Sequence, residues 1–297
     1  MNSNSAWQFA ILALLLASVP AAAQPRLTNA RVTEQPVART LSETVNRLVS
    51  SSAEPIWIAY AVPVEDGSSS MCCWSSGDGF GRGDACCGSC RLEPGSGTTF
   101  RDNTTNLATR LEPRDTFFVF YRVENKRIER VRVFSEDCGV DAGNRQIYWL
   151  TGVKPAESLA LLSDLALSRD ATDRGMKGAI SAIAQHGGTD AVTPLVRLGR
   201  EAPDSEVRGE ALFWLSQRAG ARATAAITDA IEHDPETQVK KQAVFALSQL
   251  PAGEGVPKLI ELARGHANPV VRKQAMFWLG QSKDPRALTF FEQILKQ

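Results

Sequence analysis

The side chains with the most varied chemistry in this sequence are thiols. Five cysteines, Cys72, Cys73, Cys86, Cys87 and Cys90, crowd one Gly- and Ser-rich stretch, and a sixth, Cys138, follows later. An even set of this kind reads first as a disulfide framework in a chain that reaches an oxidising compartment. Adjacent cysteines rarely bridge each other, because the peptide between them strains the S–S geometry. Cys138 is therefore expected to tie the stretch to the strands beside it, with the connectivity left open. Cys87-Gly88-Ser89-Cys90 is also a C-x-x-C, the spacing of thiol-redox centres when it opens a helix after a strand. No strand–helix–strand pattern surrounds it. A structural zinc site would show two such pairs, and only one is present, with no His nearby. The expectation is therefore a set of disulfides, with no metal and no cofactor.

Imidazole and hydroxyl chemistry has fewer footholds. The three histidines, His186, His233 and His266, fall at expected turns between helices, where they should be exposed and without a Ser or Asp partner. No G-x-S-x-G elbow, phosphate-binding loop or H-E-x-x-H occurs. Lys plus Arg number 33, as do Asp plus Glu, and the net charge is zero. Residues 24–140 carry 14 basic and 15 acidic side chains, and residues 141–297 carry 19 and 18. Neither part has the cationic excess that displaces counterions from phosphates, so no nucleic-acid partner is expected.

The elements that must position these residues fall into three parts. Residues 1–23 read as a secretory signal: Ala6–Val19 is an apolar run too short to span a bilayer comfortably, and Ala21 and Ala23 precede a cut at Gln24. Its n-region carries no Lys or Arg. The expectation is a periplasmic or secreted protein with no membrane insertion after cleavage. Residues 24–140 read as a small β-rich domain with the cysteine-rich loop. Ile56–Val64, Thr116–Val123 and Ile128–Phe134 are strand-like, Glu124–Arg127 is a hairpin turn, and Leu41–Ser50 is a short helix.

From Asp141 onward the expected period becomes helical and the sequence repeats. Val207-Arg208, Val239-Lys240 and Val271-Arg272 lie 32 residues apart, and the same step links Ala179, Ala211, Ala243 and Ala275. It also links Leu198, Ala230, Leu262 and Ile294. Ile147–Leu165 parallels Met276–Ile294 with one residue deleted, which gives five two-helix units over residues 141–297. A fixed period with two amphipathic helices per unit means a stacked solenoid. The fold class is thus α+β, a small disulfide-containing β-rich domain followed by an all-α solenoid.

Asp204–Leu215 (D-S-E-V-R-G-E-A-L-F-W-L) and Asn268–Leu279 (N-P-V-V-R-K-Q-A-M-F-W-L) resemble HEAT repeats. They are most similar to the short bacterial type named after phycobilisome lyases, with its D-x-x-V-R-x-x-A-x-x-A-L pattern. The two parts together resemble exported HEAT-repeat proteins of environmental bacteria. The resemblance implies a solenoid over residues 141–297 that binds other proteins. No lyase chemistry accompanies it, and a bilin lyase would be expected inside the cell.

The repeat pattern assigns packing roles. Asp204 and Asn268 should cap their helices, with Arg208 and Arg272 reaching that cap or the neighbouring unit's. Trp214 and Trp278 alternate with Ala182 and Ala246 as interdigitating core. Tyr148, Phe213, Phe245 and Phe277 sit opposite the Val/Ala/Leu stripe. Either they pack sideways against the next unit or they form an exposed aromatic ridge, and such ridges mark partner sites. Gln217, Gln249 and Gln281 should line a rim. The reading is a non-catalytic, monomeric scaffold for an unknown protein partner. The alternatives are a thiol-redox or lyase-like enzyme using Cys87 and Cys90, and an envelope sensor coupled to a membrane partner.

Overall fold

The computed structural model describes residues 25–63, 73–74, 90–93, 116–135, 139–187, 190–218 and 220–296. Residues 1–23, expected to be a signal, and Cys72, Cys86, Cys87 and Cys138 lie outside the described residues, while Cys73 and Cys90 are placed by their backbone. The strands are β1 (Arg26–Pro36), β2 (Ile56–Pro63), β3 (Cys73–Trp74), β4 (Cys90–Arg91), β5 (Thr116–Glu124), β6 (Arg127–Ser135) and β7 (Gly139–Thr151). Helix α1 (Leu41–Ser51) lies between β1 and β2. The helical run follows as α2 (Pro155–Leu167), α3 (Asp173–Gln185), α4 (Val192–Glu201), α5 (Ser205–Ser216) and α6 (Ala221–His233). It continues through α7 (Thr237–Ser248), α8 (Val256–Gly265), α9 (Pro269–Gln281) and α10 (Pro285–Leu295).

The expected hairpin forms between β5 and β6. Its tip residues Asn125 and Lys126 both adopt positive φ, 52° and 57°, the backbone that matches the twist of two-residue hairpin turns. The sheet runs in the order β1-β7-β2-β5-β6-β3, with β4 also pairing β7. β1, β7 and β2 are mutually parallel, and β2, β5 and β6 antiparallel. Period-two alternation divides the side chains cleanly. Ile56, Ile58, Tyr60, Phe117, Val119, Tyr121, Val131 and Val133 face the helices and join their core. Trp57, Ala59, Phe118, Phe120, Phe134, Ile147 and Trp149 form a second buried cluster on the opposite face, together with Leu92.

The helical reading of residues 141–152 is corrected by this sheet. Ile147-Tyr148-Trp149-Leu150 matches the helical Met276-Phe277-Trp278-Leu279 in sequence, yet it is the inner part of β7, hydrogen-bonded between β1 and β2. Four bulky β-forming residues suit a strand covered on both faces as well as they suit a helix. The helical run therefore begins at Pro155, and the 140/141 boundary falls inside β7. α2 stands as the second helix of a unit whose first helix is replaced by the sheet, and it packs on both α3 and α4. The complete units are α3–α4, α5–α6, α7–α8 and α9–α10, with α3, α5, α7 and α9 packed in succession. One hydrophobic core runs from Leu41 in α1 through the sheet to Phe290 in α10.

The close approach of helix and sheet rests on a glycine. A Cβ built at Gly178 in α3 would sit 2.3 Å from the Val131 carbonyl oxygen of β6. Because the obstacle is backbone, no side chain can swing aside. Gly178→Ala is expected to lower unfolding free energy by about 1–3 kcal/mol, read from urea midpoints; an unchanged midpoint would mean that α3 lifts off β6 at no cost.

Candidate functional site

Three groupings on this scaffold combine chemical side chains with defined geometry. The first is an aromatic ladder on the first helices of the units. Residues one repeat apart project from α5, α7 and α9 at the same height, so the Phe213 and Phe245 rings stack with centroids 6.1 Å apart and planes 6° from parallel. Trp214 meets Phe213 edge-on at 5.5 Å, Phe245 packs on Trp278 at 4.8 Å, and Trp278 meets Phe277 edge-on at 4.9 Å. Such offset and edge contacts are the favoured aromatic arrangements. Phe213 and Phe245 are half-buried, whereas Phe277 is 52% exposed. The column therefore packs sideways at Phe213 and Phe245 and is exposed at Phe277.

A polar row accompanies the ladder. Gln217, Gln249 and Gln281 are all exposed, as expected of a rim. In α5 the Ser216 hydroxyl donates to the Phe213 carbonyl oxygen at 2.6 Å and accepts from the Gln217 carboxamide at 3.1 Å. Ser248 and Gln249 repeat the arrangement in α7. Each carboxamide is thereby tied to the serine that precedes it. Tyr148 is not part of this column: it is half-buried on β7, paired with Ile58 and Thr33 of the flanking strands.

The second grouping links the sheet to the helices. His186 was expected to be exposed and without a partner; instead it is buried, with Nε2 3.0 Å from the Ser158 hydroxyl and Nδ1 2.9 Å from the Ala182 carbonyl oxygen. Ser158 in turn lies 2.8 Å from the Tyr60 hydroxyl, which lies 2.7 Å from that of Tyr121. A carbonyl oxygen only accepts, so Nδ1 carries the proton and Nε2 accepts from Ser158. The remaining protons follow in one direction, Tyr121 donating to Tyr60 and Tyr60 to Ser158. Burial opposes charge throughout. It pushes the His186 imidazole down to about 4 and the Tyr60 hydroxyl up to about 12, and it also holds the Tyr121 hydroxyl well above its ordinary value. A serine beside a histidine is the start of a nucleophilic pair, but both are sealed in the core in this conformation, and no carboxylate orients the ring. The chain joins β2 and β5 to α2 and α3 and satisfies every polar atom it buries. Sequence spacing could not show it, since Tyr60, Tyr121, Ser158 and His186 come from four separate elements.

The third grouping is ionic and repeats along the solenoid. Asp204 caps α5, accepting from the N–H groups of Glu206 and Val207, and Asn268 caps α9 in the same way through Val270. Arg208 in α5 reaches across its own unit to Asp234, the residue that ends α6. Its guanidinium pairs with both oxygens of buried Asp234, at 2.7 and 3.1 Å, while Nη1 donates to the Ala202 and Pro203 carbonyls. At equivalent positions Lys240 donates to the carbonyls of Ile231 and Glu232, and Arg272 to those of His266 and Ala267. These cations close the free carbonyls at the end of each preceding helix.

On the far face of the sheet, Glu93 accepts from the Trp57 indole at 3.0 Å and from Arg122 at 3.1 and 3.2 Å. Hydrogen bonds and charge from Arg122 outweigh partial burial and hold its carboxyl below the usual range. Among the described residues, no group of three or more His, Cys, Asp or Glu side chains is placed to hold a metal ion. No helix among them is long and apolar enough to cross a membrane.

Comparison with known proteins follows the same division. A family model described as HEAT repeats matches residues 224–297. No curated protein matches the chain. Among solved structures, human deoxyhypusine hydroxylase in complex with glycerol is similar at 20% identity and a TM-score of 0.35. The alignment covers 46% of this chain and 43% of that one. The matched segment, residues 224–297, lies in a run of paired helices consistent with HEAT-like repeats.

Proposed function

We propose that the chain is an exported, non-catalytic scaffold, of the short bacterial HEAT type, that holds a protein partner against the aromatic ladder. The observation that carries this reading is the ladder's open end. Phe277 repeats positions whose rings are half-buried in the two preceding units, yet it stands 52% exposed beside Trp278. An aromatic ring supported on one side and bare on the other is the usual anatomy of an interface anchor. The oriented carboxamides of Gln217 and Gln249 supply donors and acceptors along the same edge. A rigid shape-complementary surface then does the work, with no bond made or broken.

Capture from an envelope extract on immobilised full chain tests this reading. Phe277→Ser is expected to weaken retention of the captured partner by about 2 kcal/mol, roughly thirtyfold in Kd, with the helical circular dichroism unchanged. A partner retained equally by Phe277→Ser and by the Phe213/Phe245/Phe277→Ser variant would remove the ladder from the interface.

A further inference from the structure

We propose that the hollow between the end of α1 and strands β1, β7 and β2 binds a small zwitterion, an α-amino acid with an apolar side chain. The hollow measures about 260 Å³ and is lined by residues 51–54 together with Arg31, Leu48, Ile56, Gln146 and Tyr148. Strand register builds it. Arg31 pairs with Gln146 and Gln146 with Ile56, so the three form one row across β1, β7 and β2. Ile56 belongs to the core under the helices, which puts the row on the helix side of the sheet. Neighbouring strands lie about 4.8 Å apart, so the Arg31 and Ile56 backbones are separated by roughly 10 Å. Tyr148 follows Gln146 by two residues on β7 and shares its face. Leu48 and Ile56 are buried and supply apolar surface beneath.

The two sides of the hollow carry opposite charge. On β1 stands Arg31, exposed and, among the described residues, without an ion pair or hydrogen bond. Across from it Glu54 is exposed and unpaired in the same sense, in the turn that joins α1 to β2. It lies beside the C-terminal turn of α1, where the carbonyls carry partial negative charge and no basic side chain offsets them. The Ser51 and Ser52 hydroxyls donate to the Leu48 and Val49 carbonyl oxygens at 3.2 and 2.9 Å, which leaves their own oxygens as acceptors. Two hydroxyl oxygens and a carboxylate match the three N–H donors of a primary ammonium group. The guanidinium opposite matches a carboxylate, which it takes through two parallel hydrogen bonds. A molecule with both groups on one carbon answers both sides at once. A plain anion would leave Glu54 unanswered, and a plain amine would leave Arg31. The Tyr148 ring, Leu48 and Ile56 then receive an apolar side chain, and a few polar groups converging on apolar surface is the usual build of a small-molecule site. The volume falls below the roughly 300–1,000 Å³ of drug-sized pockets, which selects a ligand of metabolite size.

Calorimetric titration of the full chain with L-leucine, N-acetyl-leucine, leucinamide and glycine tests the assignment. Leucine is expected to bind with a Kd of about 1 mM or tighter. Blocking either charged end, or removing the side chain, should weaken binding at least about tenfold in each case. Arg31→Gln should erase the preference for leucine over leucinamide, and Glu54→Gln the preference over N-acetyl-leucine. Both side chains are exposed, so the urea midpoints of the two variants should match wild type. Phe277→Ser should bind leucine as wild type does, because the aromatic ladder lies on other helices. No heat from leucine at about 10 mM would overturn the proposal. N-acetyl-leucine or leucinamide binding as tightly as leucine would overturn it too, by showing a site for one charge alone. So would undiminished leucine affinity in both Arg31→Gln and Glu54→Gln, which would put the ligand elsewhere on the chain.

Discussion

Lowering the pH from 7 to 4 is expected to cost the fold about 3 kcal/mol through His186 alone. The imidazole is neutral in the folded chain because burial holds it down to about 4. In the unfolded chain it takes a proton near 6.5. Below 6.5 the unfolded state therefore binds more protons, and stability falls until the folded imidazole itself titrates near 4. Protonation also has a structural cost that the one-way chain makes visible. Nε2 would become a donor, Ser158 would have to turn its proton toward Tyr60, and Tyr60 toward Tyr121. The last hydroxyl proton would then lack its place in the chain. His186→Gln keeps an acceptor for Ser158 and removes the titration. Urea unfolding at intervals between pH 7 and 4 should show a steep loss in wild type and a shallower one in this variant. Parallel curves would show that the acid sensitivity originates elsewhere, for instance in carboxylates held below their usual range such as Glu93.

Asp234→Ala is expected to destabilise the chain by about 3–5 kcal/mol, since it leaves the buried Arg208 guanidinium without its counter-ion. Removing both charges should be less harmful than removing one. The double variant Arg208→Met, Asp234→Leu loses an attraction but also two desolvated ions, and its midpoint is expected to lie above that of Asp234→Ala. Thermal or urea denaturation of the three proteins decides the matter. If the double variant is the worst of the three, the pair contributes net stability beyond its desolvation, and the repeat junction depends on the charges themselves.

The solenoid was legible because its signal is redundant. Val207, Val239 and Val271 sit in register at one step, and each is buried in the structure for the same reason. The caps at Asp204 and Asn268 followed from the same spacing, whereas the pairing of Arg208 with Asp234 at the end of α6 did not. The sheet was only partly legible. β2, β5 and β6 alternate visibly, but β1 (R-L-T-N-A-R-V-T-E-Q-P) is an edge strand whose side chains are mostly exposed, so it carries no apolar rhythm. It is fixed by its ladder to β7, a pairing that residue types do not encode. β7 was concealed by the opposite fault, a tetrapeptide apolar enough to satisfy either period. The buried polar chain was beyond reach for a third reason: a histidine near a turn is ordinarily solvated, and only the fold shows that β5 lays Phe117 edge-on against it at 5.2 Å.

The replacement of the first helix by a sheet also orders events in time. β1 and β2 flank β7 as parallel neighbours, yet both precede it in the chain and cannot pair with it until Gly139–Thr151 has emerged. Each helix pair, by contrast, finds its neighbour one repeat away. Closing the long loops around β7 carries the larger entropy cost and the higher contact order. The repeats are therefore the fast, local part of this fold, and the sheet that terminates them is the slow part. Until it closes, the apolar strands Ile56–Pro63 and Thr116–Glu124 are the segments most in need of protection from other chains.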